Sequence, residues 1–226
     1  MKENNVNNMI YIKILKNMDL YFITHRPYAD VISSVKAAIN GGVKIIQYRE
    51  KEKNYPLLKQ TALEIKELCN KNNVIFIIND YLDLAIEIDA DGVHLGQDDG
   101  DIEEAQKRFP DKIIGRSTHN LKQAIEAEKE GADYIGVGPI YGTVTHQNPE
   151  PDVGIELLRK IKETVKLPVV ALGSIDKNNI LQVLSTGTKT VAMLRSLLTA
   201  EDIENEIKEI RKIINNTRTS NIKEHL

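Results

Sequence analysis

The strongest constraint in this 226-residue chain is a beat: short β-branched runs alternate with amphipathic stretches eight times between residues 19 and 214. The runs fall at 19–24, 43–49, 74–79, 92–95, 112–117, 134–138, 168–172 and 190–194. Apolar runs of this length bounded by turn residues read as strands. Between them, apolar residues recur three or four apart, as in Leu57, Leu58, Ala62, Ile65 and Leu68, or Leu121, Ala124, Ile125 and Ala127, which is the spacing of a helix face. Gly41-Gly42, Gly131 and Gly187 close such stretches just before the next run, where glycine accepts the left-handed C-cap.

Strands apolar on both faces, each followed by a helix, imply a parallel sheet covered by helices. Eight such units close a (β/α)8 TIM barrel. The rival is an open doubly wound sheet, but no Gly-x-Gly-x-x-Gly follows the first strand. Without the tails, the length gives roughly 25 residues per unit, which leaves no room for a second domain. The expectation is an α/β chain with one barrel domain over 18–214, an extra N-terminal segment at 1–17 and a mobile tail at 215–226.

Composition removes other classes. With 41% hydrophobic residues and only 13 Gly and 7 Pro, the chain is neither disordered nor collagen-like. Its single cysteine, Cys69, cannot form an internal disulfide, for which a reducing, cytoplasmic compartment is the simplest reading, although a Cys-poor secreted protein would look the same. Cys69 falls in the pattern Leu63, Ile65, Leu68, so it reads as a buried small hydrophobe rather than a nucleophile. The apolar stretch 9–15 is short and broken by Lys13, a poor signal peptide, and no run approaches the roughly 18 residues of a membrane span. A net charge of −3 argues against nucleic-acid or anionic-membrane partners, while a homo-oligomer stays open.

Barrels place their chemistry at the C-terminal ends of the strands. The second run ends in Gln47-Tyr48-Arg49-Glu50-Lys51, whose alternation sends Gln47 and Arg49 to one side with Lys51 just beyond. Two cations and an amide suit a multiply charged anion such as pyrophosphate; the alternative is a solvated charged turn. The third run, wholly apolar, passes abruptly into Asn79-Asp80, and the fourth into Gly96-Gln97-Asp98-Asp99. Asp80 and Asp98 at neighbouring strand mouths could share Mg²⁺, which favours one or two carboxylates plus water and substrate phosphates. The competing role for Asp80 is a helix N-cap, and Asp99 and Asp101 read as charge at the start of the next helix. Without paired histidine spacing, zinc is disfavoured. His94, between apolar neighbours, reads as a satisfied core or rim histidine.

The fifth run ends in Ser117-Thr118-His119, and after the sixth a long loop carries Thr143, Thr145 and His146. Such a loop is a lid, a ligand clamp or only a variable connection. Gly173-Ser174 and Leu194-Arg195-Ser196 stand at the last two strand mouths, where barrels often bind phosphate.

In order, these segments resemble the thiamine phosphate synthase family over roughly residues 18–214. The matching pieces are Gln47, Arg49 and Lys51; Asn79-Asp80; Gly92 through Gln97 with Asp99, and Asp98 alongside; Ser117 and His119; Gly131 through Tyr134; and Gly138-Pro139-Ile140. The resemblance implies that a hydroxymethylpyrimidine diphosphate and a thiazole phosphate are joined to thiamine phosphate, pyrophosphate leaving first from a pyrimidine-stabilised cation. It places the leaving pyrophosphate on Arg49, Lys51 and Asn79, with Ser117 touching the departing group and Gln47 the pyrimidine. Asp80 and Asp99, or Asp98, would hold Mg²⁺, and Thr143, Thr145, His146, Gly173, Leu194 and Arg195 would complete the substrate contacts.

Three positions depart from the family pattern: His146 replaces a lid lysine, Ser174 the second glycine of a pair, and Arg195 a serine. A thiazole tautomerase relative, using His119 for proton transfer, is the nearest alternative. Retention of Gln47, Arg49, Lys51, Asn79 and Asp80 favours the synthase. A third reading is a non-catalytic barrel that binds a thiamine precursor.

Overall fold

In the structure, a computed structural model, residues 18–51, 54–142 and 151–223 are described, together with Leu15. Eight parallel strands close into a barrel in sequential order. They are β1 (Leu20–Ile23), β2 (Ile45–Tyr48), β3 (Ile75–Asn79), β4 (Gly92–Leu95), β5 (Ile113–Thr118), β6 (Tyr134–Val137), β7 (Val169–Leu172) and β8 (Thr190–Met193). Closure is made by β1 on β8, where Leu20 pairs with Val191 and Phe22 with Met193. The open-sheet rival is thereby excluded.

The helices are α1 (Val31–Asn40), α2 (Tyr55–Lys71), α3 (Leu82–Glu87), α4 (Ile102–Arg108), α5 (Leu121–Glu130), α6 (Gly154–Thr164), α7 (Ile180–Leu184), α8 (Arg195–Leu198) and α9 (Ile203–Lys223). Asparagine and aspartate start several of them: Asp30, Asn54 and Asn120 each accept a hydrogen bond from a backbone N–H three residues on, which satisfies one of the orphan donors of the first turn. On α2 the buried face is Leu58, Ala62, Ile65 and Cys69. Leu57 and Leu63, expected on that face, are 41% and 46% exposed because they fall outside the stripe that reaches the barrel. Burial pushes the Cys69 thiol up to about 12, so it is an inert core group as expected. At the end of α1 it is Gly42, at φ 89°, that takes the left-handed turn, while Gly41 stays helical.

Strand alternation divides the core in two. Outward-facing residues such as Phe22, Ile46, Phe76, Ile78, Val93 and Ile135 pack against the helices. A smaller inner cluster, with Tyr21, Ile45, Ile75, Ile77, Ile113, Tyr134 and Val170, fills the lower barrel. The upper end is left for polar residues.

The expected boundary at 214 is not where the chain's structure stops, since α9 continues through Lys223. The guanidinium of Arg218 donates to the carbonyls of Met18 and Lys189 and anchors this extension to the barrel base. Residues 1–14 and 224–226 lie outside the described residues, and so do Thr143, Thr145 and His146. Among the described residues no helix is long and apolar enough to cross a membrane.

Candidate active site

A cavity of about 670 Å³ opens at the C-terminal ends of the strands. It gathers Gln47, Arg49, Lys51, Asn79, Asp80, Asp98, Asp99 and Ser117 from β2 to β5, and Gly173, Ser174, Leu194 and Arg195 from β7 and β8. Every expected site residue that is described lines this one space, in agreement with the alternation argument.

The turn after β2 is fixed from outside. Arg26 Nε donates to Glu50 Oε2 at 2.6 Å, and Glu50 Oε1 accepts from the Lys51 amide at 2.9 Å. Anchoring Glu50 leaves Arg49 and Lys51 on the cavity side. The Arg49 amide donates to Thr24 Oγ1 at 3.0 Å, and its Nη1 lies 3.1 Å from His25 Nδ1. Burial lowers the guanidinium pKa, an effect opposed by the facing Asp80 carboxylate.

Asp80 sits at φ 64°, in the left-handed region, and its side chain caps no helix: α3 begins with Tyr81 at the cap position and no side-chain cap bond. The strained backbone instead aims the carboxyl inward. Its partner is Asp99 rather than Asp98. The chain from Gly96 folds back on itself, with the Asp99 amide donating to the Gly96 carbonyl at 3.3 Å and the Gly96 amide to Asp99 Oδ2 at 2.8 Å. That turn leaves Asp98 on the cavity lining without facing Asp80, and gives Asp99 a role beyond loading the start of α4. Burial first, and then the hydrogen bond and charge of Asp99, raise the Asp80 carboxyl to about 7. Two facing carboxylates that resist joint ionisation form a donor set that a divalent cation relieves. No cluster of three or more His, Cys, Asp or Glu suited to a metal occurs among the described residues. The facing Asp80 and Asp99 carboxyls match the one or two carboxylates that Mg²⁺ takes alongside water and ligand oxygens.

Below the cations lies a polar chain that the sequence reading did not find. Gln47, Tyr21, Tyr134, His94 and Ser117 are linked by successive hydrogen bonds of 3.0, 2.8, 2.9 and 2.9 Å. The available signal was a tyrosine at an inward position of two otherwise apolar strands. Arg116, outward on β5, was also missed: its Nη1 donates to the Gly100 carbonyl at 2.7 Å and its Nη2 to the Gln97 carbonyl at 3.2 Å, clamping the loop that carries Asp99. His119 is held at both ends, its amide donating to the Gln123 side chain (Oε1) at 2.7 Å and its Nδ1 lying 2.6 Å from the Gly138 carbonyl. On the opposite wall Gly173 is at φ 107°, where a Cβ would stand 2.5 Å from Pro139 Cα. Ser174 Oγ donates to the Gly142 carbonyl, which ties the β7 mouth to the start of the long loop.

A closed parallel barrel with cations, amides and a carboxylate pair around one strand-mouth cavity defines a (β/α)8-barrel enzyme site for phosphorylated ligands. The family model described as thiamine monophosphate synthase matches residues 20–197, and the chain belongs to that family. It is 42% identical over 207 residues to a thiamine-phosphate synthase of Dictyoglomus thermophilum, covering 90% of this chain and 93% of that one. A thiamine-phosphate synthase of Methanosarcina barkeri is 39% identical over 208 residues, with 91% and 94% covered. Among solved structures, thiamine phosphate pyrophosphorylase from Pyrococcus furiosus superposes with a TM-score of 0.84 at 38% identity, covering 90% of this chain and 98% of that one.

Proposed function

We propose that this chain makes thiamine phosphate from a hydroxymethylpyrimidine diphosphate and a thiazole phosphate. The observation that carries this reading is the placement of Arg49, Lys51, Asn79 and Ser117 around the Asp80–Asp99 pair, with Gly173, Ser174 and Arg195 across the same cavity. One side suits a diphosphate, the other a single phosphate.

The methylene C–O bond of the pyrimidine substrate breaks, and its electron pair leaves with pyrophosphate. Arg49 and Lys51 meet the charge that grows on the leaving oxygens, and Asn79 and Ser117 add neutral donors. Electrostatic stabilisation of this kind, already oriented before the bond breaks, is the main catalytic effect available here. Gln47 holds the pyrimidine ring, and the thiazole nitrogen, positioned by its phosphate on Gly173, Ser174, Leu194 and Arg195, donates its lone pair to the methylene carbon. Bringing the second substrate close replaces a bimolecular encounter. Mg²⁺, held by Asp80 and Asp99, would supply positive charge to the diphosphate oxygens. Thr143, Thr145 and His146, which lie outside the described residues, would add further substrate contacts.

The test is direct: incubate the protein with both substrates and Mg²⁺ and follow thiamine phosphate and pyrophosphate in equal amounts. Isomerisation of a thiazole carboxylate phosphate without condensation would replace this reading by the tautomerase. Binding of either precursor without turnover would replace it by the non-catalytic barrel.

A further inference from the structure

The polar chain under the cavity has a direction. An amide nitrogen has hydrogens but no available lone pair, so Gln47 Nε2, 3.0 Å from the Tyr21 hydroxyl, must donate to it. Tyr21 then has one hydrogen to place, and its next neighbour is the Tyr134 hydroxyl at 2.8 Å. Tyr134, having accepted, gives its own hydrogen to His94 Nδ1 at 2.9 Å. A neutral imidazole that accepts at Nδ1 carries its proton on Nε2. That nitrogen lies 2.9 Å from Ser117 Oγ, which accepts and keeps its own hydrogen for the cavity it lines.

We infer that Gln47, Tyr21, Tyr134 and His94 form a positioning relay, in which His94 is held as the Nε2–H tautomer so that Ser117 is a hydrogen-bond donor toward an anionic leaving group. The inference rests on the proposed function for the identity of that group. Reversal of the chain would make Ser117 give its hydrogen to His94 and turn lone pairs toward a diphosphate, which is repulsive. The same direction acts at the other end. With Nε2 committed to Tyr21, the Gln47 amide oxygen is the atom able to accept from an aminopyrimidine.

Two independent features fit a site shaped around this imidazole. A Cβ on Gly115 would lie 2.5 Å from His94 Nδ1 and 2.2 Å from Tyr134 Cζ, and one on Gly136 would lie 3.2 Å from His94 Cε1. β5 and β6 thus each lack a side chain where the ring and the tyrosine meet. His94 is also deeply buried, and burial with the nearby Arg116 charge lowers its pKa to about 4, so the ring is neutral near pH 7. Consecutive hydrogen bonds in a low-dielectric interior polarise one another, which sharpens the donor at the end of the chain.

The direct test is ¹⁵N NMR of histidine-labelled protein, with His94 assigned by the signal lost in His94→Gln. The expected spectrum shows a protonated Nε2 and an unprotonated Nδ1; the opposite tautomer overturns the relay. Kinetics provide the second measurement. Tyr134→Phe keeps the ring but removes the link to Nδ1, and should lower kcat about tenfold with the KM for thiazole phosphate unchanged. Ser117→Ala should add little in that background, because both changes remove one donor. His94→Gln, whose amide can donate from near the Nε2 position, should retain more activity than His94→Phe. Fully multiplicative losses for Tyr134→Phe and Ser117→Ala would overturn the inference. A protein with the Nε2–H tautomer that makes no thiamine phosphate sinks the reaction assignment and leaves the relay's direction standing.

Discussion

The Asp80 carboxyl faces that of Asp99 across the mouths of β3 and β4, and burial together with this neighbour raises Asp80 to about 7. An ordinary unfolded aspartate titrates near 4. Between these values the folded protein binds a proton that the unfolded chain has released, so metal-free stability falls as pH rises from about 4 through 7. Asp80→Asn removes that penalty. Thermal unfolding without metal at pH 8 should show the variant melting higher than the parent, by about 2–4 °C for each kcal/mol relieved. Mg²⁺ should raise the parent's Tm and leave the variant's nearly unchanged. Turnover should fall about a hundredfold or more while thiazole phosphate still binds, and an unimpaired variant would remove Asp80 from the site.

Asp98 and Asp99 are adjacent in sequence but are held differently. Asp99 is folded back by its bond from the Gly96 amide at 2.8 Å and faces Asp80. Asp98 lines the cavity without that constraint. Asp99→Asn should therefore resemble Asp80→Asn, raising the Mg²⁺ concentration needed for half-maximal activity by about tenfold or more, whereas Asp98→Asn should change it less than about threefold. Equal effects of the two changes would show that the cation is shared by all three carboxylates.

Arg116 acts on the same loop from outside the barrel, through the Gln97 and Gly100 carbonyls. Groups that orient a metal ligand are typically worth about 10- to 100-fold in metal affinity. Arg116→Met keeps most of the aliphatic stem and loses both bonds, so the Mg²⁺ requirement should rise about tenfold with little change in the KM for thiazole phosphate. A titration of activity against Mg²⁺ at saturating substrates checks this.

The fold was legible because its strands carry uninterrupted apolar runs and its helices carry capping residues; β4 was expected at 92–95 and lies at Gly92–Leu95. Alternation also placed Gln47 and Arg49 correctly, since a two-residue period fixes which side a side chain takes. Choosing between Asp98 and Asp99 required the turn closed by Gly96, which neither alternation nor composition encodes. The link between Tyr21 and Tyr134 has no sequence signal, because each sits within an apolar run and their hydroxyls meet across 113 residues of sequence. Polar residues after 214 resemble a tail in sequence, whereas α9 runs through Lys223 and Arg218 reaches the carbonyls at Met18 and Lys189.

Arg195 opens α8 at the mouth of β8, beside Gly173 and Ser174. It is solvent-exposed, lines the cavity and forms no ion pair among the described residues, so its guanidinium is available to an anionic ligand. The site already has Arg49 and Lys51 on the β2 side. A third cation on the far wall is suited to the separate phosphate of the thiazole rather than to the diphosphate. A charge-assisted hydrogen bond is worth about 1.5–3 kcal/mol, and exposure places Arg195 at the lower end of that range. Arg195→Ala should raise the KM for thiazole phosphate about tenfold and change that for the pyrimidine diphosphate by less than about twofold. Arg195→Ser should recover part of the loss through its hydroxyl. Steady-state kinetics with each substrate varied in turn decides the matter: a larger effect on the diphosphate would move Arg195 to the other anion and leave the thiazole phosphate to the backbone of Gly173 and Ser174.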